Sequence, residues 1–387
     1  MDALDRARRL LDDVAAMVRA ELPPGAVLFD AHTHLGGDID GMVGRYEPLA
    51  EMLTAYGSSG AFVFCMDEYD REPAFRVPND RTLAAAARSE GLLVPFVRLD
   101  PDAEPLAEAV RCLDLGARGI KLHPRAQKFS VGDERLEPIF ALAVERDVPI
   151  LIHGGRGLPP IADHLAVLVG RHPAIRLIIA HAGIADLAGL AGRFGGVRGV
   201  YFDTSVWSAL DLLDLLRQVA PEQVLYASDY PYGRQPNSLL ATIRSARVSG
   251  YADAALRLVL GENALRIVRQ QPQPPLTEPI GISSFSQPLT YARIHQYLAM
   301  ATPLFWLRQG DAVGALGLAI NAAQADSMQR GNGFAELSGQ LHELLATAQE
   351  LWTASRAIDD EPERIAIGRT AFALVHLSDV LAVTAVA

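Results

Sequence analysis

Two histidines separated by one residue end the first apolar run of the chain. His32 and His34 lie within the sequence VLFDAHTHL. Because alternate residues of a β-strand point to the same face, both imidazoles are expected to project into one space. Two neutral imidazoles suit Zn²⁺ or another borderline transition metal, although an isolated H-x-H pair is a weak signal.

Three further ionisable residues follow apolar runs in the same way. His153 follows PILI, His181 follows LIIA and Asp229 follows YAS. Taken singly, each could be a core or loop residue whose polar atoms find partners within the protein. Taken together, four histidines and an aspartate directed at one end of a parallel barrel would leave several groups unpaired without a metal ion. The pattern therefore predicts a divalent metal site.

A lysine on another apolar run is unusual for this chain, which has 33 arginines and only two lysines, Lys121 and Lys128. Lys121 shares a strand face with His123, because the two residues are separated by one position. A compact amine suits the binding of a substrate carboxylate, whereas a lysine without function would reach solvent from the strand end. Arg125 and Arg156 follow two of the runs and are candidates to bind an anionic substrate from the rim.

Three polar residues near these motifs are secondary candidates. Asp203 and Ser205 share a face on the seventh apolar run and are candidates to line the pocket. Asp30 precedes His32 by two residues and could accept a hydrogen bond from a ligand imidazole.

The elements that must position these residues alternate between short apolar runs and longer stretches of helical period. This alternation predicts a parallel sheet covered by helices, and eight runs match a (β/α)₈ TIM barrel. A doubly wound open sheet could use the same elements, but it has no reason to carry polar residues at the ends of so many strands. The runs are 27–35, 60–66, 92–99, 119–123, 149–154, 176–183, 200–206 and 224–230.

The barrel is predicted over 27–270, after an N-terminal helix in 1–26. A Pro/Gln-rich linker at 271–286 cannot continue a helix. An all-helical appendage is expected over 287–387, and its apolar last helix needs a partner surface on the barrel or on a second subunit. The predicted helices are 291–309, 311–330, 334–354 and 363–384.

Composition excludes several classes of partner for this chain of 387 residues. A net charge of −11 disfavours binding to nucleic acid. The two cysteines are not in a metal or redox spacing, and the first thirty residues lack the apolar region of a signal peptide. The apolar tail 371–387 is interrupted by polar residues, so no membrane span is expected. We expect a cytoplasmic protein that forms a homo-oligomer, with the C-terminal helices as candidate interface.

The motifs together resemble the amidohydrolase superfamily. The nearer resemblance is to its metal-dependent branch that includes aminocarboxymuconate semialdehyde decarboxylase. The matching stretches occur in the family's order over the first 270 residues, and the C-terminal helices lie outside the resemblance. They are DAHTHL at 30–35, GIKLHP at 119–124, ILIHGG at 150–155, LIIAHAG at 177–183, ASDYPYG at 227–233 and LGENALRI at 260–267.

The resemblance implies that His32, His34, His153 and Asp229 surround a divalent ion, Zn²⁺ before Mn²⁺. His181 would be a further ligand, or a group that orients substrate and water. A divalent ion lowers the pKa of its water to near ~7. Asp229 is then expected to accept a proton and later to donate it, and His181 to polarise the substrate carbonyl.

The resemblance leaves the number of ions open. The superfamily's binuclear members use a carboxylated lysine as a bridge, and in that case His153 and His181 would serve a second ion. If Lys121 remains a free amine, a single ion is expected, and this form is preferred because the nearer branch is mononuclear.

Three functions fit these residues. The first is a metal-dependent hydrolase that cleaves a C–N or C–O bond of a small carbonyl compound with Asp229 as general base. The second is a non-oxidative decarboxylase of an aromatic or unsaturated acid. The third is an inactive barrel that acts as a scaffold for a helical interaction module. The intact set of five costly polar residues argues against the third.

Overall fold

The fold is known from a computed structural model, which describes residues 2–281, 285–307, 309–328 and 334–385. Residues 282–284 of the predicted linker and 329–330 of the predicted second C-terminal helix lie outside the described residues.

Eight parallel strands form the barrel, and each overlaps one of the eight predicted runs; β1 ends two residues after its run and β2 begins two residues before its run. The two sheets assigned by hydrogen bonding join at the third strand, which is interrupted at Phe96. The strands are β1 Leu28–Gly37, β2 Ser58–Cys65, β3 Leu93–Pro95 with Val97–Arg98, β4 Ile120–Leu122, β5 Ile150–Ile152, β6 Leu177–Ile179, β7 Val200–Asp203 and β8 Val224–Leu225. A two-residue strand, Val43–Gly44, pairs antiparallel with the end of β1. The predicted TIM barrel is therefore confirmed.

The barrel closes between β8 and β1. The backbone N–H of Asp229 donates to the carbonyl of His32 at 2.9 Å, and that of His34 donates to the carbonyl of Tyr230 at 2.7 Å. These two bonds bring the chain after β8 alongside the histidines of β1.

Helices surround the barrel, as the predicted alternation requires. They are α1 Ala3–Glu21, α2 Tyr46–Ala55, α3 Arg76–Ala87, α4 Pro105–Asp114, α5 Pro124–Gln127, α6 Glu137–Glu145, α7 Ala162–Arg171, α8 Leu187–Phe194, α9 Ala209–Leu216, α10 Gln235–Val248, α11 Asp253–Arg257 and α12 Asn263–Val268. A π-helical segment, Leu258–Glu262, joins the last two.

An apolar layer fills the barrel below the mouth. Leu151, Ile178 and Tyr201 are buried in this layer and lie side by side on neighbouring strands. Lys121 pairs in register with Leu151, so its side chain lies on the same inner face. The barrel interior therefore contains an amine where its neighbours are apolar.

The C-terminal region is helical, as predicted. Its helices are α13 Leu289–Trp306, α14 Ala312–Ser327, α15 Ala335–Ser355 and α16 Glu361–Val383. The last helix packs on the barrel, where Val383 contacts Ala209 and Leu213 of α9 and Asn237 donates from Nδ2 to the carbonyl of Ala373 at 2.9 Å. The barrel thus supplies a partner surface for the last helix.

Helix α16 is longer than the apolar tail considered from the sequence. By length and composition it could cross a membrane, yet 61% of its most apolar window is buried within the structure. Burial against the barrel and the neighbouring helices accounts for its apolar composition.

Asp30 joins β1 to the chain after β8. Its Oδ1 accepts from the backbone N–H groups of His32 at 3.2 Å and Ser228 at 2.9 Å, and its Oδ2 accepts from Gln235 Nε2 at 2.9 Å. Asp30 therefore supports barrel closure, and the expectation that it accepts from a ligand imidazole is wrong.

Replacing Asp30 with asparagine tests this role through pH dependence. Burial raises the pKa of Asp30 from 3.8 to about 6, so the folded state binds the proton more tightly than the unfolded state does. Stability is therefore lost as the pH rises from about 4 through 6, by on the order of 1 kcal/mol between pH 5 and 7.5. We expect Asp30→Asn to lack this loss, because asparagine does not titrate. The variant should still fold, because Gln235 Oε1 has no partner among the described atoms and can accept from the new amide.

Urea unfolding of wild type and Asp30→Asn at about pH 5 and 7.5, with chelator present, measures the difference. The same change in unfolding free energy with pH in both proteins would contradict the assignment.

Candidate metal centre

Three ligand atoms converge where β1 and β8 meet. His32 Nε2 lies 3.2 Å from His34 Nε2, and Asp229 Oδ1 lies 3.4 Å and 3.3 Å from these two nitrogens. All three residues are buried. Because a tetrahedral ion bonded at about 2.0–2.1 Å separates its ligand atoms by roughly 3.3–3.4 Å, the group has the dimensions of three corners of a zinc site.

A bulge in β1 brings both histidines to the inner face. Asp30 pairs with Ala61 of β2, whereas Thr33 pairs with Val63, so three residues of β1 oppose two of β2. Bulges of this kind redirect side chains next to active sites. His32 and His34 then alternate regularly, as the sequence predicts.

A buried carboxylate fixes the orientation of the His32 ring. His32 Nδ1 donates to Asp203 Oδ2 at 2.8 Å, which leaves the lone pair of Nε2 facing His34 and Asp229. The other oxygen, Oδ1, accepts from the backbone N–H of His181 at 2.8 Å and from that of Ser205 at 3.0 Å. Asp203 therefore orients the ring of His32 and holds the backbone of His181, a more specific role than lining the pocket.

His181 and His153 form a second pair of imidazoles. His181 Nδ1 lies 2.8 Å from the carbonyl of Ser205, and because a carbonyl only accepts, this nitrogen carries the proton. Its Nε2 lies 3.0 Å from His153 Nδ1. A side chain at Gly155 would place its Cβ 2.8 Å from His153 and 2.9 Å from His181, so only glycine fits beside this pair.

Two of these residues adopt left-handed backbone conformations. The φ angle is 58° at both His181 and Asp229. Such a conformation costs a residue with a side chain about 1 kcal/mol or more and is concentrated at functional sites. The strain allows each side chain to turn into the mouth immediately after its strand.

Lys121 lies against the first histidine group. Its Nζ is 3.4 Å from His32 Nε2 and 4.4 Å from the centre of the Phe64 ring. The side chain is completely buried, and burial lowers the pKa of Lys121 to about 7, against the opposing effect of Asp203. Among the described residues, none forms an ion pair with Lys121 within 4.0 Å.

Burial also holds the imidazoles neutral. It lowers the pKa of His32, His34 and His153 well below the ordinary range. Burial raises the pKa of Asp229 well above its usual value, and the charge of Lys121 opposes that rise. Neutral imidazoles with lone pairs directed at one another are a donor set for a cation.

Arg98 is a further buried cation, and it did not emerge from the sequence motifs. It lies at the end of β3, pairs in register with Lys121 and is 1% exposed. Its Nε and Nη2 have no hydrogen-bond partner among the described atoms, and the nearest carboxylate oxygen, on Asp67, is 3.9 Å away. A polar residue late in the third apolar run was the available signal.

The other predicted substrate residues lie around this centre. The ring of His123 stacks on that of His153 at 4.0 Å, and its Nδ1 accepts from the backbone N–H of Ala126 at 3.2 Å. Both arginines are exposed: Arg125 lies in the short helix α5 after β4, and Arg156 lies on the loop after β5. Neither arginine forms an ion pair with the residues that the structure describes.

Comparison with known proteins matches the barrel. The model of a family described as amidohydrolase matches residues 29–270, whereas no curated protein matches the chain. Among solved structures, 5-carboxyvanillate decarboxylase from Sphingomonas paucimobilis is 16% identical, with 63% of this chain and 99% of that chain covered and a TM-score of 0.49. A 4-oxalomesaconate hydratase from Rhodopseudomonas palustris is 15% identical, with 63% and 96% covered and a TM-score of 0.47.

Asp203→Asn tests whether this carboxylate supports the ligand group. The amide turns one acceptor position into a donor, so either His32 or the N–H groups at Oδ1 lose their acceptor. We expect affinity for Zn²⁺ to fall about 10–100-fold, as is usual when such support is removed. Competition with a chromophoric chelator measures the affinity, and Asp211→Asn on α9 is the control. Equal affinity in both variants would contradict the role of Asp203.

Proposed function

We propose that this chain, which belongs to the amidohydrolase family, is a metal-dependent enzyme that acts on a small organic carboxylate. The observation that supports metal dependence most strongly is the convergence of His32 Nε2, His34 Nε2 and Asp229 Oδ1 at separations of 3.2–3.4 Å. Three buried polar atoms at these separations need a shared proton or a cation between them, and a single divalent ion satisfies all three at once.

We infer that His32, His34 and Asp229 hold the ion, with His181 and His153 beside it as further ligands or substrate contacts. Zn²⁺ suits two imidazoles and a carboxylate in tetrahedral arrangement, and Mn²⁺ is the alternative. When bound, the ion supplies Lewis acidity and lowers the pKa of coordinated water to near ~7.

Buried positive charge favours a carboxylate substrate. Lys121 has no carboxylate within ion-pair distance among the described residues, and Arg98 has two nitrogens without a hydrogen-bond partner, with only Asp67 near it at 3.9 Å. A buried cation without a counter-charge is costly, and an incoming anion relieves that cost. Arg125 and Arg156 on the rim would attract the same anion before it enters.

Non-oxidative decarboxylation of an aromatic or unsaturated acid uses these groups most completely. Lys121 and Arg98 hold and orient the acid, and Asp229 donates a proton to the carbon that carries the carboxylate. The C–C bond then breaks, CO₂ leaves, and Asp229 regains a proton from solvent. His181, with a protonated Nδ1 fixed on the carbonyl of Ser205, has its Nε2 3.0 Å from His153 Nδ1, and this pair would contact the substrate.

Hydrolysis of a C–N or C–O bond is the second candidate. Asp229 Oδ1 lies within 3.4 Å of both histidines of β1. From there it could accept a proton from the attacking water and pass it to the leaving group. Here Lys121 and Arg98 would bind a carboxylate remote from the scissile bond.

A panel of acids separates the two reactions. Hydroxybenzoates and unsaturated diacids report decarboxylation through released CO₂, and N-acyl amino acids and lactones report hydrolysis through released acid or amine. We expect CO₂ release that chelator abolishes and added Zn²⁺ or Mn²⁺ restores. Turnover that is confined to amides or lactones would favour hydrolysis instead.

Asp229→Asn is expected to fold normally and to lose turnover of any acid that the panel identifies. The amide keeps the shape and a weak oxygen ligand but cannot carry the transferred proton, a loss that costs ~10²-fold or more. Rate measurements at saturating metal test this, with Asp214→Asn, a partly exposed residue of α9, as control. A variant that keeps more than about a tenth of the wild-type rate would show that Asp229 is not the proton carrier.

Lys121→Arg distinguishes a site with one metal ion from a site with two. Arginine keeps a positive charge but cannot form a carbamate, so a single-ion site should keep about one ion per chain while substrate affinity falls. Elemental analysis and a KM measurement give both quantities. Two ions per wild-type chain, about 3.5–4 Å apart, and one or none in the variant would show that Lys121 is a carboxylated bridge.

A further inference from the structure

A large cavity separates the barrel mouth from the C-terminal helices. Its volume is about 1430 Å³, above the ~300–1,000 Å³ of ordinary small-molecule pockets. The loops after β1, β7 and β8 supply Met42, Trp207 and Tyr232, and the helical region supplies Trp352 and Phe372. The barrel and the helices therefore form this space together.

The cavity adjoins the candidate metal centre. Tyr230 and Tyr232 line it and come one and three residues after Asp229 in the chain. The ring centre of Tyr232 lies 5.7 Å from that of His34. A molecule in the cavity would thus lie one aromatic side chain away from the metal ligands.

Aromatic rings form much of the apolar wall. Trp207 of the barrel packs edge-on against Phe372 of α16, with ring centres 5.2 Å apart. Phe305 and Trp352 pack at 4.5 Å on the helical side. Walls of this type bind flat or extended apolar groups.

The charged residues of the wall are mainly arginines, although the chain as a whole has a net charge of −11. Neither Arg234 nor Arg356 forms an ion pair within the described parts of the chain, and Arg364 is 3.7 Å from Glu361. The excess of positive charge favours an anionic ligand. The lining arginines are Arg8, Arg234, Arg356, Arg364 and Arg369, and the lining acids are Asp40, Glu51 and Glu363.

Two lining residues also contain buried polar atoms without partners. Trp352 Nε1 and Asn237 Oδ1 have no hydrogen-bond partner among the described atoms. The residues are 6% and 1% exposed. Leaving buried donors and acceptors unpartnered is costly, and a polar ligand in the cavity would satisfy these two.

We propose that this cavity binds an organic anion with an aromatic or extended apolar body, whose anionic group contacts the arginines of α16. The inference rests on the proposed function, because it takes the ligand as the distal part of a substrate whose reacting end reaches the metal centre. The C-terminal helices then determine substrate size and charge, while the barrel supplies the chemistry.

Calorimetric titration with 1-naphthoate and its neutral analogue 1-naphthamide tests the proposal. We expect 1-naphthoate to bind more tightly, and Arg369→Gln to weaken its binding about tenfold or more, because a hydrogen-bonded charge is lost. The control is Arg293→Gln, an exposed residue of α13 that does not line the cavity. Equal binding of acid and amide, or unchanged binding in Arg369→Gln, would overturn the proposal.

A second variant covers the case in which Arg369→Gln fails to fold, as judged by its melting temperature. Ala366 is an exposed residue of α16 that lines the cavity, so Ala366→Trp should occupy the space and abolish 1-naphthoate binding. Ala354→Trp, on an exposed position of α15 outside the lining, is its control. Tight binding to a folded Ala366→Trp would also overturn the proposal.

The same titrations with chelator present distinguish this inference from the proposed function. Binding that persists in the presence of chelator and is weakened by Arg369→Gln locates the acid in the cavity, even if no metal-dependent activity is found. Binding that requires the metal and is unchanged by Arg369→Gln would locate the acid at the metal centre. That result would contradict the proposal that the cavity binds the acid and would leave the proposed function intact.

Discussion

The carboxylate of Asp203 is the interaction on which the arrangement of the site depends. One of its oxygens fixes the ring of His32 at 2.8 Å, and the other holds the backbone of His181 at 2.8 Å. A single buried group thereby sets the direction of one lone pair on β1 and the left-handed turn after β6. The ligand atoms converge because these two positions are coupled through one rigid side chain on β7.

Charge buried in the barrel mouth constrains what the site can bind. Lys121 lies in an apolar layer without a carboxylate oxygen within 4.0 Å among the described residues, and Arg98 lies beside it with the nearest carboxylate oxygen, on Asp67, 3.9 Å away. Burying positive charge with little compensation costs stability, and a fold retains such charges when binding or catalysis uses them. A cation held by His32, His34 and Asp229 satisfies the lone pairs, and an anionic substrate satisfies the amine and guanidinium.

Much of the barrel and its ligand group follows from local sequence. Residues at the ends of parallel strands must meet at one face, so His32, His34 and Asp229 could be grouped from the eight apolar runs alone. Asp30 could not be assigned, because whether a carboxylate accepts from an imidazole or from a neighbouring backbone depends on the bulge in β1 and on closure against β8. Arg98 and the cavity depend on tertiary packing, which local periodicity does not record.

The metal centre is tested most directly by the metal content of the purified chain, measured by elemental analysis after purification without chelator and again after reconstitution with Zn²⁺ or Mn²⁺. We expect about one divalent ion per chain, with uptake largely lost when His34 is replaced by alanine. A wild-type chain that contains no stoichiometric metal and takes up none on reconstitution would contradict this expectation.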